Sequence, residues 1–197
     1  MRNALLSLSL LLAAQVPAQE FRLSGGYNGS NVSDAGNEHW TGRAGYQFGA
    51  DLVLGQRWFL KPGVHFLVRN LDYTYAAAAD VPAQNFTYTS RSLRIPVLLG
   101  FNLLDASEDP PINVNVFGGP SALMNLNADL DNDQLDVQTN GTQWYLGFGA
   151  GVTLGFLFVD AGYDVAMSNV FDGDRFSTNP KVNYVYAALG VRLQLAK

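Results

Sequence analysis

His39 and His65 are the only histidines in the chain, and cysteine is absent. Any histidine-based hydrolase or zinc site must therefore use one of these two positions. His65 shares its stretch with Lys61 and Arg69, and that basic setting suits a polar packing role better than a metal ligand or general base. His39 stands between Glu38 and Trp40, which reads as a solvated loop end. The run Asp129-Leu130-Asp131-Asn132-Asp133 opens like a calcium loop, with oxygen donors at alternate positions. Gln134 then replaces the sharp-turn glycine and Asn140 the closing glutamate, so the run reads as a solvated acidic loop. No serine, histidine and carboxylate align toward one end. The expectation is a non-enzymatic protein with no catalytic, metal or cofactor site.

The remaining chemistry is charge, and its spacing points to the elements that must carry it. From Phe21 onward apolar residues alternate with polar or small ones, the period of β-strands. Trp58, Leu60, Val64, Phe66 and Val68 alternate with Arg57, Lys61, His65 and Arg69. Leu93, Ile95, Val97, Leu99, Phe101 and Leu103 form another such apolar row. By parity Arg43, Asp51, Lys61, His65, Arg69, Arg94, Asp160, Asp164 and Arg192 all fall on the polar face. Eight strands are predicted near 21–29, 40–54, 57–74, 86–104, 112–126, 142–155, 157–168 and 182–195. Long connections near 30–39, 75–85, 127–141 and 169–181 alternate with short ones near 55–56, 105–111 and 156. That rhythm fits an all-β, eight-stranded antiparallel up-and-down transmembrane β-barrel with long loops outside the cell. Pro62, Pro96 and Pro120 interrupt predicted strands and are read as bulges or strand ends.

The composition agrees with an exported barrel. Arg2, the apolar run from Ala4 to Ala14 and Val16-Pro17-Ala18 have the layout of a cleaved signal peptide over residues 1–18, leaving one domain over 19–197. Loss of Arg2 leaves 11 basic and 17 acidic residues, a net charge of −6 that argues against nucleic-acid partners. No later stretch approaches the ~20 apolar residues of a membrane helix, so a membrane location requires a barrel.

Alternation alone does not say which face looks inward. Gly45, Gly49, Gly63, Gly100, Gly119, Gly147, Gly149, Gly151 and Gly162 share the polar face, where missing side chains would help a crowded interior and gain an aqueous exterior nothing. The polar face is therefore assigned to the lumen. Tyr27, Trp40, Tyr46, Tyr73, Tyr88, Trp144 and Tyr184 gather toward one predicted end, and Trp58, Phe101, Phe156 and Phe158 toward the other, as two interfacial girdles.

Three runs, Leu93-Arg94-Ile95-Pro96-Val97-Leu98-Leu99 with Gly100-Phe101, Phe117-Gly118-Gly119-Pro120-Ser121, and Gly147-Phe148-Gly149-Ala150-Gly151-Val152, resemble the small outer-membrane β-barrels common in Bacteroidetes, often called PorT-like. Asp160-Ala161-Gly162-Tyr163 followed by Ser168-Asn169-Val170 fits the penultimate strand of that family. The resemblance implies an eight-stranded barrel in the outer membrane, with some relatives assisting type IX secretion or gliding and no catalytic residues. The ending from Gly190 to Lys197 departs from it in lacking a terminal aromatic residue. The expected partners are outer-membrane lipid, the barrel assembly machinery, and a protein at the outer loops or rim. An accessory or structural barrel is the leading function. A small-solute or ligand transporter is the alternative, followed by a lipid-modifying enzyme.

Overall fold

A computed structural model describes residues 19–33, 39–75, 84–104, 112–130, 141–168 and 181–195. Eight strands run in chain order: β1 (Gln19–Ser33), β2 (His39–Gly55), β3 (Trp58–Tyr75), β4 (Gln84–Asn102), β5 (Ile112–Leu130), β6 (Thr142–Leu154), β7 (Leu157–Ala166) and β8 (Lys181–Gln194). Each pairs antiparallel with its chain neighbours, and β1 pairs with β8 to close the barrel. Closure removes the free edges that an open sheet would expose, which a wall in hydrocarbon requires. Residues 1–18 and most of the long connections, including Asp131–Asn140 of the acidic run, lie outside the described residues.

Two tight turns, after β2 and after β6, mark one end of the barrel. Gly55 (φ 121°) and Gly155 (φ 57°) occupy backbone conformations that L side chains rarely adopt, which is why glycine stands where the chain reverses. A Cβ on Gly55 would also lie 2.3 Å from the Trp58 carbonyl oxygen.

The faces are assigned by burial. Leu52, Val64, Val97, Leu99, Phe148 and Leu189 are exposed, whereas Asp51, Lys61, His65, Arg94, Asp160 and Asp164 are buried. A protein folded for water would show the reverse distribution. A sheet closed with charge inside and a continuous apolar coat outside is a barrel that spans a membrane.

The proline expectation needs correction. Pro62, Pro96 and Pro120 lie inside β3, β4 and β5, and none marks a bulge or a strand end. Pairing lapses beside each one and resumes in the same register: between Asp51↔Gly63 and Leu54↔Leu60, between Pro62↔Val97 and His65↔Arg94, and between Pro96↔Ser121 and Leu99↔Gly118. In all three cases the gap faces the preceding strand, as expected for a missing N–H on that side. The register shifts lie elsewhere, between Arg43 and Tyr46 and between Arg91 and Ser92.

Candidate functional site

The inward-facing side chains fill the lumen, and a recurrent cross-strand pairing lets them fit. Phe59 lies opposite Gly100, Phe117 opposite Gly149, Phe158 opposite Gly190 and Tyr186 opposite Gly162. Four polar residues follow the same rule: His65 faces Gly49, Asp51 faces Gly63, Asp160 faces Gly151 and Asp164 faces Gly147. A Cβ on any of these glycines would come within 2.0–2.6 Å of the side chain opposite. The glycines thus make room for large or charged neighbours across the ladder.

Toward the turn end Val53, Phe59, Leu98 and Phe117 belong to the buried apolar cluster, and Phe158 is buried across Gly190. At the rim beyond them, Glu20 accepts hydrogen bonds from Arg22 (2.9 Å) and Arg192 (2.7 Å). The Arg22 guanidinium also stands 5.0 Å from the Phe158 ring, and Arg192 Nε donates to the Gly155 carbonyl.

Two ion pairs and a histidine–carboxylate contact occupy the middle of the barrel. Lys61 Nζ contacts Asp160 Oδ2 at 2.8 Å and lies 3.8 Å from the centre of the Phe117 ring. His65 Nε2 meets Asp51 Oδ1 at 2.9 Å. Arg94 bridges both oxygens of Asp164, at 2.8 and 3.1 Å, while the Tyr184 hydroxyl donates to Oδ2 at 2.5 Å and Ser121 Oγ to the same oxygen at 3.4 Å. Asp164 therefore offers four contacts in a site from which water is excluded, the arrangement a buried charge requires. Above it, Arg69 donates to the Tyr145 hydroxyl, which donates in turn to Gln143.

The nine residues read from parity do not form one network. Asp51, Lys61, His65, Arg94, Asp160 and Asp164 make the central pairs, Arg69 belongs to the tyrosine layer and Arg192 to the rim. Arg43 is a correction: its side chain is 56% exposed and pairs with Asp72 at 3.5 Å, away from the lumen. The register shift between Arg43 and Tyr46 adds a residue to β2, and one added residue reverses which parity faces inward. Tyr184 and Phe158 are also corrected, from girdle to lumen, since both are buried. Their parity matches that of Asp160, Asp164 and Gly190, and that signal was present in the sequence. Tyr27, Tyr46, Trp58, Trp144 and Phe156 are exposed as a girdle requires, while the side chains of His39, Trp40, Tyr73 and Tyr88 lie outside the described set. Sequence reasoning passed over Glu20, Arg22, Tyr145, Gln143 and Tyr186; Arg22 could have been found from its alternation with Phe21 and Leu23.

Between the central pairs remains a gap of about 10 Å³, lined by residues that include Gln47, Asp51, Lys61, His65, Arg94 and Asp160. That is room for about one water molecule. Among the described residues no three histidine, cysteine, aspartate or glutamate side chains converge to hold a metal ion.

The architecture is shared with a solved structure. The outer membrane protein OprG from Pseudomonas aeruginosa is 13% identical and superimposes with a TM-score of 0.56, over 90% of this chain and 97% of OprG. Ail, the attachment invasion locus protein of Yersinia pestis, in complex with the heparin analogue sucrose octasulfate, is 16% identical with a TM-score of 0.45, over 89% of this chain and 99% of Ail. No curated protein matches the sequence. The sequence does match the outer membrane protein beta-barrel domain across residues 14–172, and the chain belongs to that family.

Proposed function

We propose that this protein is a sealed, non-enzymatic barrel of the outer membrane whose working surface is its long-loop end. The observation that carries the reading is the packed lumen, in which an apolar cluster is buried toward the turn end and the gap between the central charge pairs is only about 10 Å³. An eight-stranded barrel has an interior that side chains can fill, and here Phe59, Phe117, Phe158 and Tyr186 each fit against a glycine. With β1 starting on the periplasmic side, the tight turns face the periplasm and the long connections face outward. Partner contacts then fall on the outer loops and rim, and the barrel assembly machinery inserts the chain. His65 is buried and its Nε2 is engaged by Asp51, which supports a structural role over catalysis. Within the family we place the chain with PorT-like barrels on the strength of the Leu93–Phe101, Phe117–Ser121 and Gly147–Val152 runs, which makes a secretion accessory the reading to test first.

Planar-bilayer recording on refolded protein, with folding checked by heat-modifiable gel mobility, tests the seal. Folded protein is expected to be electrically silent. Reproducible single-channel steps would defeat the proposal and favour the solute-transporter reading. Fractionation with mass spectrometry should find the mature chain starting at Gln19 in the outer membrane; recovery in the soluble periplasm would sink the localisation.

A further inference from the structure

Between Tyr46↔Val68 and Arg43↔Asn70, β2 runs three residues while β3 runs two, so β2 carries one extra residue at Ala44-Gly45. An extra residue leaves ladder groups without a facing partner, and these must be satisfied from elsewhere. Side chains do so from both faces of the wall. On the lumen face Asn28, buried on β1, reaches past Gly45, its partner in register, and donates to the Val68 carbonyl on β3 at 3.3 Å. Glycine is what lets it pass, since a Cβ at 45 would lie 2.6 Å from Asn28 Oδ1 and 2.0 Å from the Val68 oxygen. On the outward face Asn70 of β3 donates to the Ala44 carbonyl at 3.0 Å and accepts from Thr89 of β4 at 3.1 Å. Four strands are thereby joined across the extra residue.

A ladder continued from Tyr46↔Val68 without it would set Gly45 opposite Arg69 and Arg43 diagonally beyond, roughly 7–8 Å away on the lumen face. Two cations would then share the layer in which the buried Arg69 meets Tyr145, a costly placement. With the extra residue in place, Arg43 instead stands outside, 3.5 Å from Asp72. We propose that Asn28, Gly45 and Asn70 form a clamp that holds the extra residue at this one position, inverts the loop-end stretch of β2 and so keeps the Arg43 charge out of the lumen. A bulge moves along a strand by exchanging ladder bonds, and every position it passes takes the opposite face. Moved toward the loop end past Arg43, it would return that residue to the interior. The two amides oppose this from opposite sides of the sheet, each by holding one carbonyl of the shifted segment.

The chain has no cysteine, so a single introduced thiol reports the face. Arg43→Cys also removes the charge, which leaves the clamp to set the position. The full mature chain is folded in micelles of lauryldimethylamine oxide, folding is confirmed by heat-modifiable mobility, and labelling by N-ethylmaleimide is followed by intact mass. Arg43→Cys should label nearly as fast as the same chain unfolded in urea. In that background, deletion of Ala44 should slow labelling about tenfold, and Asn28→Ala/Asn70→Ala about threefold. A merely loosened barrel would label faster, so slowing is specific to a change of face. Unslowed labelling after the deletion would overturn the inversion, and unslowed labelling in the double alanine variant would overturn the clamp. Should the deletion fail to fold, the unaltered chain still decides: by NMR the Asn70 side-chain amide protons should exchange with solvent about tenfold more slowly than in the unfolded chain, and unprotected exchange there overturns the proposal.

Discussion

Toward the turn end the lumen is closed by Val53, Phe59, Leu98, Phe117 and Phe158, whereas in the middle it is closed by Lys61–Asp160, His65–Asp51 and Arg94–Asp164. The first region depends on volume: aromatic rings occupy space vacated by glycine, and their packing is indifferent to charge. The second depends on stoichiometry, since every charge removed leaves its partner buried without compensation. Both use glycine in the same way, but they should fail differently when altered.

Removing one member of the ionic layer should have the largest effect. Asp164→Ala strands Arg94 and removes the acceptor of Tyr184 and Ser121, with an expected loss of about 3–5 kcal/mol. Urea unfolding from lipid vesicles measures it. Arg94→Met/Asp164→Leu should recover most of the loss, because apolar groups of similar size need no partner. If the double variant is as unstable as the single one, pairing is not what this layer supplies.

Next in size is a charge on the opposite face. Val97→Arg places a cation on the apolar coat, and the expected penalty is about 2–4 kcal/mol if Val97 lies near the midplane. Equal tolerance of arginine at Val97 and Gln47 would show the two faces to be exchanged.

The apolar region should respond to added volume. Gly100→Ala puts a methyl group 2.0 Å from the Phe59 ring and should cost about 1–3 kcal/mol. Combination with Phe59→Leu should relieve part of that cost, whereas relief by a charge change in the central layer would mean the regions are not independent.

Arg43→Ala should change stability least, within about 0.5 kcal/mol, because the side chain is exposed. Arg69→Ala, which removes a buried donor to Tyr145, should cost clearly more. Equal effects at the two arginines would contradict their assignment to opposite faces.

Strand existence and lumen polarity were legible in the sequence because period-two alternation is local and repeats eight times. Predicted boundaries fall within a few residues of β1 to β8, as at 112–126 against Ile112–Leu130 and 157–168 against Leu157–Ala166. Arg43 was misplaced because parity counting carries across a strand only while the ladder has no extra residue, and nothing in Ala44-Gly45 announces one. The prolines misled for a related reason. A missing N–H was expected to shift the register, whereas the ladder loses pairing beside Pro62, Pro96 and Pro120 and continues unchanged. Tyr184 was read by residue type although its parity was correct for the lumen. The division between rim, ionic layer and tyrosine layer depends on register between strands, and alternation within one strand does not contain it.

The pairing of Phe59, Phe117, Phe158 and Tyr186 with glycines on neighbouring strands also works as a set of keys and notches during assembly. Sliding β3 against β4 by two residues keeps every side chain on its proper face, so hydrophobic patterning does not oppose that error. The slide would carry Phe59 from Gly100 onto Leu98 or Asn102, where a side chain already occupies the space. Similar notches at Gly149, Gly162 and Gly190 penalise the corresponding errors between β5 and β6 and between β7 and β8. A chain without cysteine thus proofreads its strand alignment by shape, before any covalent or ionic bond could lock a mistake in place.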